Sequence, residues 1–357
     1  MLLRPATAEA PTALETPLAS PPAPTESSTP AASTPTVPPG PSARRSVPVR
    51  AWLQPAIVGL IVVSAFVACY VGLQRDPEPH GVPLAVTGQQ LATEVRQTLG
   101  DRVDVHQAAD AGAARRAVLH RDAVAALGPS GDGGLRLDVA GANGLSTTNA
   151  VTGLAATYAN RAGQHLETAD VVPLAKFDSR GLCGFYVAFG VTLAGFVLAQ
   201  STLGLGNVLA LRHRFRLIWG FSAACGTIAA VIAGPVMGAL PAPFLPLAGT
   251  LALLAAAAAF TTKLLGTWLG PLGVPVATLL LLTVGNSTSG ATIGVVLLPR
   301  LARVVSGLLP PGAAIRAVAD LSYFGAAHVS GPLITLALWA VIGALLVGLR
   351  SRRVAAR

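Results

Sequence analysis

Between its last two long apolar runs the chain carries a stretch, residues 285–331, that cannot lie in bare lipid. It opens with Gly285-Asn286-Ser287-Thr288-Ser289-Gly290 and passes through an apolar but Arg-bearing run to Leu309. It breaks again at Pro310-Pro311-Gly312 and ends past Tyr323-Phe324-Gly325. Breaks at Gly and Pro free backbone N–H and C=O groups, for which hydrocarbon offers no partner. The stretch is therefore expected outside the membrane, at its surface, or re-entrant and enclosed by protein. Arg300 and Arg303 stand three apart among Leu297, Leu301, Val304 and Leu308, which suits an interfacial or re-entrant helix.

The rest of the chain supplies an apolar frame. Of 357 residues 52% are hydrophobic and 11% charged, a balance that excludes an ordinary soluble protein of this length. Runs at 51–73, 182–203, 217–240, 244–262, 264–284 and 332–349 are each long enough to cross a ~30 Å hydrocarbon core. The net charge of +9 raises nucleic acid as a partner, but its location argues for the bilayer instead. After Gly181 the chain has eleven basic residues and one acidic residue, Asp320. Most of that excess falls at Arg212-His213-Arg214-Phe215-Arg216, at Lys263, and at Arg350, Arg352, Arg353 and Arg357. With Arg44, Arg45 and Arg50 ahead of the first run, these clusters share one side if both chain ends are cytoplasmic, with Lys263 as a tight turn between the fourth and fifth spans. Cys69, Cys183 and Cys225 lie in or beside apolar runs and read as small buried hydrophobes rather than a disulfide framework.

Two stretches are not apolar. Residues 1–50 are rich in Pro, Ala, Ser and Thr with no apolar period, and are expected to be a disordered cytoplasmic tail. Residues 75–180 have the composition of a small soluble domain. Val82-Pro83-Leu84-Ala85-Val86 and Leu135-Arg136-Leu137-Asp138-Val139 read as strands, with further strands at 103–105 and 123–127. Helical spacing appears at 88–99, 108–120 and 145–161. The expected fold is an α-helical integral membrane protein: six transmembrane helices with an extracytoplasmic α/β domain inserted between the first and second. The strand and helix periods close within 80–165, which predicts that the insert is self-contained.

Catalytic signals are absent from the pattern. The six His residues show no ligand spacing, and neither Lys176 nor Lys263 is preceded by the Gly that a P-loop requires. A non-enzyme without metal or cofactor is expected, and any ATP hydrolysis must come from another subunit. The spans carry few polar groups and none of the buried acids of a proton relay. Gly190, Gly195, Gly220 and Gly226 permit close helix packing. Substrate-pathway candidates are Asn286, Ser287 and Ser289, polar groups at the end of a span, and Asp320, for which the ordinary reading is an ion pair with Arg316 four residues earlier. Arg212, Arg214 and Arg216, after a short helix expected from Asn207, are candidates for docking an ATPase; a bare topogenic cluster needs no partner.

The order of parts, a span, an α/β insert and five spans with a broken segment before the last, resembles actinobacterial membrane proteins of the type-2 ABC-transporter permease and YhgE/Pip (phage infection protein) group. The residues that carry the resemblance are Val82-Pro83-Leu84-Ala85-Val86, Asp170-Val171-Val172-Pro173-Leu174, Asp178-Ser179-Arg180-Gly181-Leu182, Gly285-Asn286-Ser287-Thr288-Ser289-Gly290, Leu309-Pro310-Pro311-Gly312 and Tyr323-Phe324. The chain departs from it at Ser287, where such proteins commonly carry Pro. The resemblance covers about residues 75–350. It implies a multi-pass permease of a bacterial plasma membrane, a homodimer or heterodimer, exporting hydrophobic or amphipathic compounds with a separate ATPase subunit. A non-transporting envelope protein, such as a phage-adsorption receptor or a secretion-apparatus accessory subunit, is the alternative it leaves open.

The charge distribution makes a direct prediction about sidedness. With native cysteines removed, a cysteine at Ser130 should react with an impermeant thiol reagent in intact cells and one at Ser351 should not. The reverse pattern would invert the topology.

Overall fold

The computed structural model describes residues 50–204 and 209–355, all within one compact unit, Val49–Arg357. Residues 1–49 of the expected tail lie outside the described residues, as do Asn207 and Val208 of the short helix expected over 207–211; of its remainder, 209 and 210 are not helical and Leu211 begins the next helix. The first helix, α1 (Arg50–Gln74), is apolar all round and packs chiefly along the helical turns at Thr278–Val284 and just beyond them. Its faces are otherwise open, as a span bordering lipid requires.

A five-stranded sheet follows, ordered β2-β1-β3-β4-β5. Strands β1 (Val82–Thr87), β2 (Val103–Ala108) and β3 (Ala125–Pro129) are parallel; β4 (Leu135–Val139) returns antiparallel to β3, and β5 (Leu166–Asp170) runs parallel to β4. Alternation along β1 decides which helices cover which face. Val82, Leu84 and Val86 point to a face covered by α2 (Gln89–Leu99) and α4 (Leu145–Ala162), through Val95, Leu99, Val151 and Tyr158. The Tyr158 hydroxyl donates to Glu94 Oε2 at 2.9 Å, tying α4 to α2; burial, then that bond, push the phenol up to about 12. Ala85 points the other way. With Ala126 it makes a flat face on which Ala114 and Val118 of α3 (Ala111–Leu119) sit. Strand β5 escapes the pattern reading because it is a mostly exposed edge of mixed composition.

The sheet does not close its core alone. Phe324, 2% exposed, packs in the α3-side cluster, and Val296 packs against the cluster on the opposite face. Both come from the broken stretch, so the helices after the insert contribute side chains to both faces of the sheet.

Among the described residues, five helical runs are long and apolar enough to cross a membrane, or six if the bent pair Arg300–Leu308 and Pro310–Tyr323, at 82°, forms one span. Among them are α5 (Cys183–Leu203), α6 (Leu211–Val231, extended by a π-helical turn at Ile232–Val236) and α12 (Ser330–Ala355). The run Phe244–Ser287, 44 residues, would reach about 66 Å if straight, twice what a bilayer needs. It is not straight. Helix α7 (Phe244–Leu269) ends at Gly270, which takes φ 58°, a conformation that residues with a Cβ resist, and Pro271 follows it. The chain then doubles back, so that a Cβ at Gly273 would collide with the Leu265 carbonyl oxygen. The return leg is α8 (Gly273–Ala277), the π-helical turns Thr278–Val284, and α9 (Gly285–Ser287).

The reversal therefore lies at Gly270–Leu272 and not at Lys263. Nothing in Thr261-Thr262-Lys263-Leu264 interrupts the helical ladder, and the Lys263 side chain, 1% exposed, donates from Nζ to Thr202 Oγ1 (3.1 Å) and Thr202 O (3.3 Å) at the end of α5. Arg350 of α12 stacks over Trp268 of α7, 5.4 Å from the ring centre. Thus the ends of α5, α7 and α12 meet at one end of the bundle, and the Arg212, Arg214 and Arg216 cluster, in the first turns of α6, follows directly from α5.

Helix α7 is the hub. Its residues from Leu254 to Lys263 are all buried, and the alanines 255–259 leave no bulk on any side, so α5, α6 and α12 all pack close. Gly195 of α5 lies on Ala255 and Ala258, Gly226 of α6 on Ala248 and Ala252, and Gly343 of α12 on Phe260. Gly190 and Gly220, by contrast, face open space. Any side chain at Gly226 would strike α7 backbone, which cannot yield as a rotamer can. Gly226→Leu should therefore destabilise the bundle by roughly 3 kcal/mol or more, the upper range for overpacking, read as a lower melting temperature in detergent; Gly220→Leu should melt like wild type.

Candidate functional site

Where the sheet meets the helices, at the end of the bundle away from Lys263, charged groups converge. Arg121, in the turn after α3, holds φ 65°, an uncommon setting for a non-Gly residue. That setting aims its guanidinium at α11 (Pro310–Tyr323). There it donates to Asp320 Oδ1 at 2.8 Å while stacking over the Phe324 ring at 5.1 Å. Asp320 is 1% exposed, so an opposite charge beside it is close to obligatory. The expected partner, Arg316, is engaged elsewhere: it donates to Ser306 Oγ (3.0 Å) and Ser306 O (3.1 Å). Arg121 is out of sequence reach, because nothing in His120-Arg121-Asp122 marks a pairing with a residue near position 320.

Two further contacts join the same parts. Asp122 Oδ1 meets His328 Nε2 at 3.0 Å, and the Tyr323 hydroxyl donates to Asp178 Oδ2 at 3.3 Å. Asp178 also caps the start of α5, where its Oδ1 accepts from the Leu182 and Cys183 amides at 2.9 and 3.0 Å.

Between these contacts lies a cavity of about 430 Å³. Phe185, Leu240, Ile315 and Val318 give it apolar walls, and Thr147, Ser289, Asp320 and Tyr323 contribute polar groups. Of the four residues expected on a substrate path, Ser289 and Asp320 line this cavity. Asn286 and Ser287 do not. Asn286 donates from Nδ2 to Leu281 O and Leu282 O at 3.3 and 3.4 Å, serving carbonyls of the π-helical turns, and Ser287 donates to Val284 O at 3.2 Å. Ser289 likewise donates to Asn286 O at 2.7 Å. All three hydroxyl and amide groups thus terminate a helix, whatever else they do.

The arginines of the broken stretch follow the same logic. Arg303 of α10 (Arg300–Leu308) donates to His80 O at 2.9 Å and Val296 O at 3.1 Å. Trp339 of α12 donates to Leu308 O at 2.7 Å, so the exposed carbonyl end of α10 is covered by Arg316 and Trp339 together. No group of three or more His, Cys, Asp or Glu residues capable of holding a metal occurs among the described residues.

No protein-family model, curated protein or solved structure matches the chain. The site must therefore be read from its own chemistry. Asp320→Leu leaves Arg121 facing an apolar wall with its side chain only 24% exposed. This should cost roughly 3 kcal/mol, the lower end for breaking a buried pair, since Arg121 keeps some access to water. Adding Arg121→Met should recover part of the lost melting temperature. Equal melting of wild type and Asp320→Leu would remove the pair from the junction's energetics.

Proposed function

We propose that the chain is the membrane subunit of an exporter for hydrophobic or amphipathic compounds in a bacterial plasma membrane, driven by an ATPase supplied as a separate subunit. The observation that carries this reading is the cavity of about 430 Å³ at the sheet end, part apolar and part polar, opposite the end that gathers Lys263 and the Arg350 group. A compound with an apolar body and a polar head fits such a lining. On this reading the sheet faces the outside, the basic end faces the cytoplasm, and the exporter is a dimer. The resemblance to the type-2 permease and YhgE/Pip group argues in the same direction.

Energy has to come from elsewhere in the assembly. Among the described residues the only acid after Gly181 is Asp320, and it is paired with Arg121, so the spans offer no carboxylate relay for protons. Arg212 and Arg216, exposed at the start of α6 with the half-buried Arg214 between them, form the basic cluster offered to an acidic groove of the ATPase. Replacing all three with Glu should abolish co-purification of an ATPase in mild detergent while the protein still inserts in the same orientation. Retention of partner and export by a correctly inserted triple variant would remove this contact. Absence of any ATPase from the wild-type complex, with no effect of the chain on export, would favour the non-transporting envelope protein.

A further inference from the structure

Beside the 430 Å³ cavity, and sharing Asn143, Gly144, Thr147, Ala291 and Gly294 with it, is a second one of about 260 Å³. Its chemistry is one-sided. Helix α4 begins here at Gly144 with no side-chain cap, although it is 18 residues long. The Thr148 amide is the first to bond within the helix, to Gly144 O at 3.0 Å, so the amides of Leu145, Ser146 and Thr147 have no acceptor in the ladder. They carry the positive end of the helix dipole, about half an elementary charge.

A helix start alone makes no site, but this one has company. Thr147 is 3% exposed, lines both cavities, and its hydroxyl has no hydrogen-bond partner among the described residues. The buried Nδ2 of Asn143 has none either. Arg180, exposed on the segment leading into α5, lines the cavity without an ion pair. No acidic side chain lines it. The unpartnered Thr147 hydroxyl at the cavity wall, together with an unpaired guanidinium and a bare helix start, defines a place for an anion.

We propose that this cavity binds a phosphate-type oxyanion, the headgroup of an anionic amphiphile whose apolar part lies in the adjoining large cavity. The proposal names a substrate class for the export reading and rests on it. Orientation follows from the linings: the head meets Arg180, Thr147 and the α4 amides, and the tail lies against Phe185, Leu240 and Val318. Neither carboxylate of the adjoining cavity lines the headgroup cavity: Asp320 is paired with Arg121, and the oxygens of Asp178 accept from the α5 amides and the Tyr323 hydroxyl.

The test is a titration of the full chain in neutral detergent with fluorescently labelled phosphatidylglycerol, with inorganic phosphate as competitor. Thr147→Val, close in shape, and Arg180→Gln, on the surface, should each weaken lipid binding about tenfold, the order expected for one charge-assisted hydrogen bond. Melting temperatures should stay near wild type. Phosphate alone should compete only at far higher concentration, because it lacks the apolar part. Wild-type lipid affinity in both variants would overturn the site, and phosphate competing as well as the lipid would overturn the placement of an apolar tail in the adjoining cavity. The two readings fail separately: ATPase-driven export with unchanged lipid affinity in both variants sinks the anion site alone, whereas lipid binding as described in a protein with no ATPase sinks the export reading alone.

Discussion

Backbone that leaves a helix beside apolar spans must find new partners for its carbonyls, and this requirement shapes the sheet end of the bundle. Where such backbone is buried in protein or meets lipid, which accepts no hydrogen bonds, side chains have to serve. Arg303 serves the loop ahead of α10, Arg316 and Trp339 serve its last turn, and Asn286 serves the widened turns of Thr278–Val284. The polar residues of the broken stretch are thus first of all structural. Any ligand must work with what they leave uncommitted: at the second cavity these groups are the α4 start and Arg180, whereas Asn286, whose Oδ1 is buried without a partner, and Ser287 line neither cavity.

The bundle solves the opposite problem, too little shape rather than too much polarity. Five consecutive alanines give α7 no bulky knobs, and specificity comes from glycines on its neighbours that allow backbone to touch backbone. Lys263 fits this frame only because α5 ends where its amine can reach Thr202.

Much of this architecture can be read from residue patterns. The strands and helices between 82 and 162 appear because alternation and helical spacing there are set by a core that needs both faces of the sheet covered. The number of apolar runs, and the break in residues 285–331, follow from length and from Gly and Pro. The position of the reversal near Lys263 does not, since a single buried cation inside a helix and one in a turn look alike when the partner, Thr202, is remote in sequence. The pairing of Asp320 is misread for a similar reason: an i, i+4 neighbour is visible in the sequence, whereas Arg121 becomes a neighbour only after the sheet has docked. Thr147 and Asn143 give no signal at all, because an unpartnered donor is defined by what surrounds it.

Phe324 and Val296, which complete the two faces of the sheet, have a consequence for biosynthesis. Strand β1 begins at Val82, but the residue that seals its alanine face is number 324 of 357. During synthesis the sheet must therefore wait, with part of its apolar surface open, until seven further helices, α5 to α11, have been made and placed. Contacts this distant in sequence form late and slowly. A chain truncated before Tyr323-Phe324 would hold every strand of its sheet and still present an unsealed face to whatever chaperone or protease patrols that side of the membrane.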